Sequence, residues 1–227
     1  MILQKVKQKF LFLLVSMLLL FFFYPFFQRS HAGVFIHDIV FLVILLSSIY
    51  AISERKNIFI ISLLLALTAF GSTVVNYSLM TVSLRLVALS AYGLFFMLMA
   101  VTILSTIMKA KKVTIEMIYA SICVYLLLGV IWTMLFSIIE IVEPGSFLSG
   151  GAPVIDLHGD LAKRNVFASF IYYSFVTLTT LGYGDITPVS PQARALSSLE
   201  AVIGQLYIAV LIAGLVGIHI SQSGEKE

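Results

Sequence analysis

Thr177-Leu178-Thr179-Thr180-Leu181-Gly182-Tyr183-Gly184-Asp185 decides how the rest of the chain is read. It lies between two apolar segments and reads as a loop that dips into a membrane. From Thr180 to Gly184 the backbone offers consecutive carbonyls, and Thr180 adds a hydroxyl. Gly182 and Gly184 alternate with bulkier residues, and glycine reaches positive φ without a Cβ clash. A strand that alternates left- and right-handed conformations turns its carbonyls to one side. Four such strands around an axis make stacked rings of oxygens that replace the water shell of a desolvated cation.

Composition sets the surroundings. Hydrophobic residues make up 60% of the 227 and charged residues 11%, and mean hydropathy is +1.07. A soluble domain carries roughly a quarter charged residues, so the bilayer, not a water-borne core, sets the element count. The formal net charge of +3 is too weak to indicate nucleic acid. Cys123 is the single cysteine and forms no intrachain disulfide. The histidines are scattered without metal-ligand spacing, and no cofactor is expected.

Outward from the loop, the apolar runs give an all-α membrane protein with six spans. They cover Phe10 to Phe27, Phe35 to Ile52, Ile58 to Val75, Thr81 to Met108, Val113 to Ile141 and Gln192 to Ile220. Val166 to Thr179 is apolar but too short to cross, and reads as a re-entrant helix ahead of the loop. Pro25 marks a kink or exit from the first run. Basic residues at the start, an apolar core and Ser30-His31-Ala32 give a cleavable leader as the competing reading of that run. The linkers Glu54-Arg55-Lys56 and Lys109-Ala110-Lys111-Lys112 are basic, Asn76-Tyr77-Ser78 is uncharged, and Glu143 to Asn165 is a longer Gly- and Pro-containing loop. No internal repeat is present. The expected division is 1–112 as a four-span, sensor-like domain without gating charges and 113–227 as a pore domain.

The positive-inside rule orients the chain. With both termini in the cytoplasm, Lys5, Lys7, Lys9, Arg55, Lys56, Lys109, Lys111, Lys112 and Lys226 lie inside, against Arg29, Lys163, Arg164 and Arg194 outside. The same orientation puts Glu140, Glu143, Asp156, Asp160 and Asp185 at the outer mouth, where acidity concentrates cations. For Asp156 and Asp160, ordinary solvated loop charge is the favoured reading.

Thr180-Leu181-Gly182-Tyr183-Gly184-Asp185 resembles the selectivity filter of the tetrameric potassium channels, with Leu181 where valine is usual. Val166-Phe167-Ala168-Ser169-Phe170-Ile171-Tyr172-Tyr173-Ser174-Phe175-Val176 is similar to their pore helix, and Leu199 to Tyr207 to the inner helix of small prokaryotic members. The resemblance runs from Val166 to the end of the sixth span; the first four spans match only by number. It implies a homotetrameric, potassium-selective pore in the plasma membrane that conducts passively and is not an enzyme. K+ would bind at Thr180, Leu181, Gly182 and Tyr183, with Gly184 completing the filter. Asp185, Tyr172, Tyr173, Thr177, Thr179 and Glu200 would support it. Tyr172 and Tyr173 fall at the family's paired aromatics, one of them with a lipid-facing alternative. Gly204 falls at the inner-helix hinge, with Gly214 and Gly217 as alternatives, and close helix packing is the competing role for such a glycine.

Several residues outside the filter carry their own expectations. Gln205, Ile208 and Ile212 repeat at i, i+3, i+7 and share one helical face. Counting from Asp185 along the family pattern turns that face to a central cavity, and a packing stripe is the alternative. Glu200 is an intramembrane carboxylate and needs a partner; Thr177 and Ser174 are the nearest. Asp38 and Arg85 share a depth and are expected to pair, with snorkelling of Arg85 as the alternative. Arg85 is the one basic residue in the fourth span, whereas a voltage sensor needs several. Only Ser221 to Glu227 follow the sixth span, so no cytoplasmic ligand domain is expected. The partners are other copies of the chain, membrane lipids and K+. Within the channel class, a weakly selective cation pore and a non-conducting subunit are the alternatives. Gly182-Tyr183-Gly184-Asp185 also fits the Gly-x-Gly-Asp motif of intramembrane aspartyl proteases. That chemistry needs a second carboxylate, for which Asp38 alone qualifies, and it leaves the threonine-rich run unexplained.

Overall fold

Backbone polar groups find no water in hydrocarbon, so a long apolar run must close its hydrogen bonds within itself. In the computed structural model, which describes residues 9–27, 31–52, 56–110, 114–154 and 166–224, these runs are helices. They are α1 (Lys9–Phe27), α2 (His31–Ile52), α3 (Lys56–Leu79), α4 (Val82–Met108), α5 (Ile115–Val142), α6 (Val166–Leu178) and α7 (Pro191–Gly224). Among the described residues, α3, α4, α5 and the Pro191–Leu211 part of α7 are long and apolar enough to cross a membrane. At 13 residues, α6 is about 20 Å long against a hydrocarbon core of about 30 Å.

The helix ends follow from capping. Thr114 stays extended and its hydroxyl accepts from Met117 N at 3.4 Å, which starts α5. Ser190 does the same for α7, its hydroxyl accepting from Ala193 N at 3.3 Å, with Pro191 in the first helical position where a missing N–H costs nothing. Two boundaries differ from the sequence reading. α3 runs on to Leu79 and absorbs Asn76-Tyr77-Ser78, and the chain turns only at Met80, where φ is 47°. Pro25 lies inside the last turn of α1 and does not end it.

The core lies along α4 and α5, where Phe95, Met99 and Ile103 face Val124, Leu127 and Ile131. α1 lies against α5: Phe10 N donates to Glu116 Oε2 at 3.3 Å and Cys123 Sγ to Phe10 O at 3.5 Å. Its far end reaches α6, with the Phe21 and Phe175 rings edge-on at 4.5 Å.

The chain is largely helical, in line with the all-α expectation, and adds three short strands. The connections before α6 and after the loop carry a sheet of β1 (Phe147–Ser149), β2 (Ala152–Pro153) and β3 (Ile186–Pro188), in the order β2-β1-β3. Both pairings are antiparallel, with Leu148 opposite Pro153 and Thr187. Segments this short carry too little alternation to be read as strands. The 155–165 stretch, with Asp156, Asp160, Lys163 and Arg164, lies outside the described residues. So does the Asp38 side chain, and with it the expected Asp38–Arg85 pair.

Candidate functional site

α6 ends at Leu178, and the chain that follows satisfies the orphan carbonyls of its last turn. Thr179 N donates to Phe175 O at 3.1 Å and Thr180 N to Thr177 O at 2.9 Å. Leu181 N and Gly182 N both reach Val176 O, at 2.9 and 3.2 Å. The amides from Thr179 to Gly182 therefore turn toward the helix. Positive φ recurs at every second residue: Thr180 (59°), Gly182 (60°) and Gly184 (75°). This is the alternation expected from the glycine spacing, extended by one residue to a threonine. Among the described residues, no backbone N–H donates to the carbonyls of Thr180 to Gly184, and these residues are exposed. The carbonyls of this run are therefore open to solvent rather than spent within the chain.

The supporting residues divide between two faces of α6. Tyr173 is buried; its hydroxyl donates to Ser197 Oγ at 2.7 Å and is also a partner of the Thr177 hydroxyl. Tyr172 points the other way, stacked on Tyr183 at 6.5 Å and hydrogen-bonded to the Asp185 carboxylate. The Thr179 hydroxyl folds back on Phe175 O at 2.6 Å. Leu181 is 56% exposed in the single chain and lines a hollow of about 510 Å3 with Leu20, Phe21, Phe175 and Tyr183.

α7 turns Ala193, Ser197, Glu200 and Gly204 inward, a stripe at helical spacing. Glu200 is 0% exposed, and Ser174 Oγ bonds its Oε1 at 2.5 Å. Ser174 is thus its partner, while Thr177 turns to Tyr173. The Ser174 hydroxyl also reaches Gly129 O at 2.8 Å, so one α6 side chain ties α5 to α7. Gly204 sits where a Cβ would come within 2.2 Å of Leu178 O, which makes close helix packing a sufficient reason for glycine there. Gly214 has nothing near it. Gln205 and Ile208 are exposed on another face of α7. Gln205 Nε2 donates to Thr180 Oγ1 at 3.2 Å, which brings α7 to the start of the loop. The Ile212 side chain lies outside the described set.

One expectation is overturned. Glu140 is not a charge at the mouth: it is fully buried, and its carboxylate accepts from Gly145 N at 3.1 Å and Phe147 N at 2.9 Å. A buried carboxylate needs such donors. Residues missed from sequence include Tyr125, whose hydroxyl donates to Leu178 O at 3.4 Å. Its ring stacks at 5.8 Å on Tyr207, which in turn donates to Ser121 O at 2.7 Å. Two tyrosines within otherwise apolar spans were the available signal, since a buried phenol needs an acceptor.

Part of the chain is similar in sequence to known proteins. Residues 120–218, from within α5 to within α7, match the ion channel family model. The rice (Oryza sativa subsp. japonica) protein named two pore potassium channel c is 36% identical over 73 residues, which is 32% of this chain and 14% of that relative. No solved structure matches the chain. Together with the apolar helices, these findings support an ion channel in a largely helical, integral membrane protein.

Proposed function

We propose that the chain is one subunit of a homotetrameric, potassium-selective channel that conducts passively. The observation that carries the proposal is the donor-free carbonyl run from Thr180 to Gly184, with its alternating positive φ. One chain supplies one arc of oxygens per level. Closing each ring takes four chains, and stacked rings replace the hydration shell of K+. Thr180, Leu181, Gly182 and Tyr183 supply the ligands, and Thr180 adds its hydroxyl at the inner end. Gln205, Ile208 and Ile212 line the cavity below, a reading supported by the Gln205–Thr180 bond. The name of the rice relative and the match to residues 120–218 support the same class.

In this reading all six long helices span the plasma membrane, α6 is re-entrant and both termini are cytoplasmic. Residues 1–112 form a sensor-like domain without gating charges, and 113–227 the pore. Opening is not voltage-driven, since α4 carries Arg85 alone. Protein reconstituted in liposomes is expected to accumulate radioactive Rb+, a K+ surrogate, against a K+ gradient. Gly184→Ala is expected to abolish uptake while eluting at the same size. Uptake equal to the parent in that variant would contradict the assignment of the ligands.

A further inference from the structure

The two ends of the Thr180–Gly184 run are held differently. The inner end hangs from α6 through Leu181 N and Gly182 N on Val176 O. Toward the outer end, among the described residues, neither Tyr183 N nor Gly184 N makes a backbone hydrogen bond. The next fixed point is the β3 strand, two residues beyond Gly184. β3 pairs with β1 along Phe147↔Pro188, Leu148↔Thr187 and Ser149↔Ile186. Gly150 N extends that ladder to Asp185 O at 3.4 Å, and Val189 N closes its other end on Ser146 O at 2.8 Å. Pro188 is tolerated because β3 is an edge strand, where its missing N–H faces away from β1.

The hairpin formed by β1 and β2 is itself rigidly rooted. Phe147 is fully buried, with its ring 4.9 Å from Phe170, 5.3 Å from Tyr173 and 5.4 Å from Phe136. Ile186 of β3 enters the same cluster. Below it, the Glu140 carboxylate grips the two amides at the start of the hairpin. At the tip, Gly150 and Gly151 take φ of 58° and 84°, a turn that glycine makes without strain.

We propose that the β1–β2 hairpin is a splint that positions the outer end of the carbonyl run, through Gly150 N on Asp185 O and the β1–β3 ladder. The proposal rests on the channel reading for its consequence, since a loosened outer end would lose its ring geometry. It stands on the backbone bonds for its mechanism. The hairpin supplies none of the proposed ligands, so its residues are positioning residues.

The test uses the full-length protein and two substitutions at an exposed site. Gly150→Pro removes the N–H and forbids positive φ. Gly150→Asn keeps the N–H and tolerates the left-handed region. Amide hydrogen exchange over Tyr183 to Val189 is expected to quicken about tenfold or more in Gly150→Pro and to stay near parental in Gly150→Asn. In bilayers, open bursts of Gly150→Pro are expected to shorten about fivefold and to lengthen again as external K+ is raised, because bound ions hold the carbonyl rings in place. Exchange in Gly150→Pro equal to the parent would overturn the splint. So would shortened bursts that ignore external K+. If Gly150→Pro is not recovered folded, the parent decides: the Gly150 amide, bonded to Asp185 O, is expected to exchange more slowly than the amides of Tyr183 and Gly184, and exchange as fast as theirs overturns the proposal too. A parent without K+ current would overturn the channel reading alone, because the exchange result does not depend on conduction.

Discussion

Thr180 holds a left-handed backbone, φ 59°, that a β-branched residue adopts at a cost of roughly 1–2 kcal/mol. The cost is met where the hydroxyl is wanted: Thr180 Oγ1 is the atom that Gln205 reaches. Gly182 and Gly184 share that conformation and have nothing within 4 Å of a built Cβ. Among the described residues of the single chain, alanine there meets no clash, and the backbone penalty is about 1–2 kcal/mol. The expected outcome for Gly182→Ala is therefore an assembled protein with lost or unselective conduction, read from elution volume and bilayer current together. Glu200 gives a second residue-level prediction. Glu200→Gln keeps an amide for Ser174 and is expected to conduct with parental burst length. Glu200→Ala leaves the Ser174 hydroxyl and a cavity behind and is expected to cost about 2–4 kcal/mol of stability and to shorten bursts. Identical single-channel records from the two variants would remove the hydrogen-bonding role. The glycine spacing and Glu200's need for a partner were legible in sequence, because both follow from local chemistry. Glu140 was not. Its amide partners lie five and seven residues ahead in a strand too short to foresee, so an acid near a helix end read as a charge in water.

α6 and α7 meet with almost no room at one crossing, where Gly204 faces the Leu178 carbonyl. A methyl group there strikes backbone, which does not swing aside as a side-chain tip does. Gly204→Ala is expected to cost about 1–3 kcal/mol, read as a lowered melting temperature. A variant melting with the parent would show that α7 slides freely over the end of α6. On another face of the same helix, cysteines at Gln205, Ile208 and Ile212 are expected to react with cytoplasmic thiol reagents in open channels and to block current. Protection of all three in a conducting channel would assign the cavity to a different stripe. The helices were readable in sequence because long apolar runs leave one solution in a membrane; the Ser190-Pro191 capping signal at the start of α7 was passed over. The end of α3 was misplaced because Asn76-Tyr77-Ser78 looks like a linker by composition, yet nothing in it forbids helix. The outer sheet escaped because its register depends on pairing Phe147–Ser149 with residues on the far side of α6, a long-range contact that no local pattern announces.

The single chain leaves apolar surface open where a neighbour would sit. Leu199, Val202, Leu206 and Val210 line one exposed face of α7. The hollow behind Leu181, lined also by Phe21 and Phe175, opens beside the carbonyl run. Four copies around an axis would cover both surfaces, and K+ in the shared rings would bind only the assembled state. Binding to one state stabilises it by mass action, so replacing K+ with Na+ is expected to lower the temperature at which the assembly dissociates, followed by size in detergent. An assembly indifferent to the cation would speak against shared ion sites. Leu181 bears on the degree of selectivity: it stands where valine is usual, and its carbonyl takes no backbone donor among the described residues. The most direct measurement is the reversal potential of purified protein in a planar bilayer with K+ on one side and Na+ on the other. A reversal potential lying far toward the K+ equilibrium value is the predicted result, whereas one near zero with measurable current would contradict potassium selectivity.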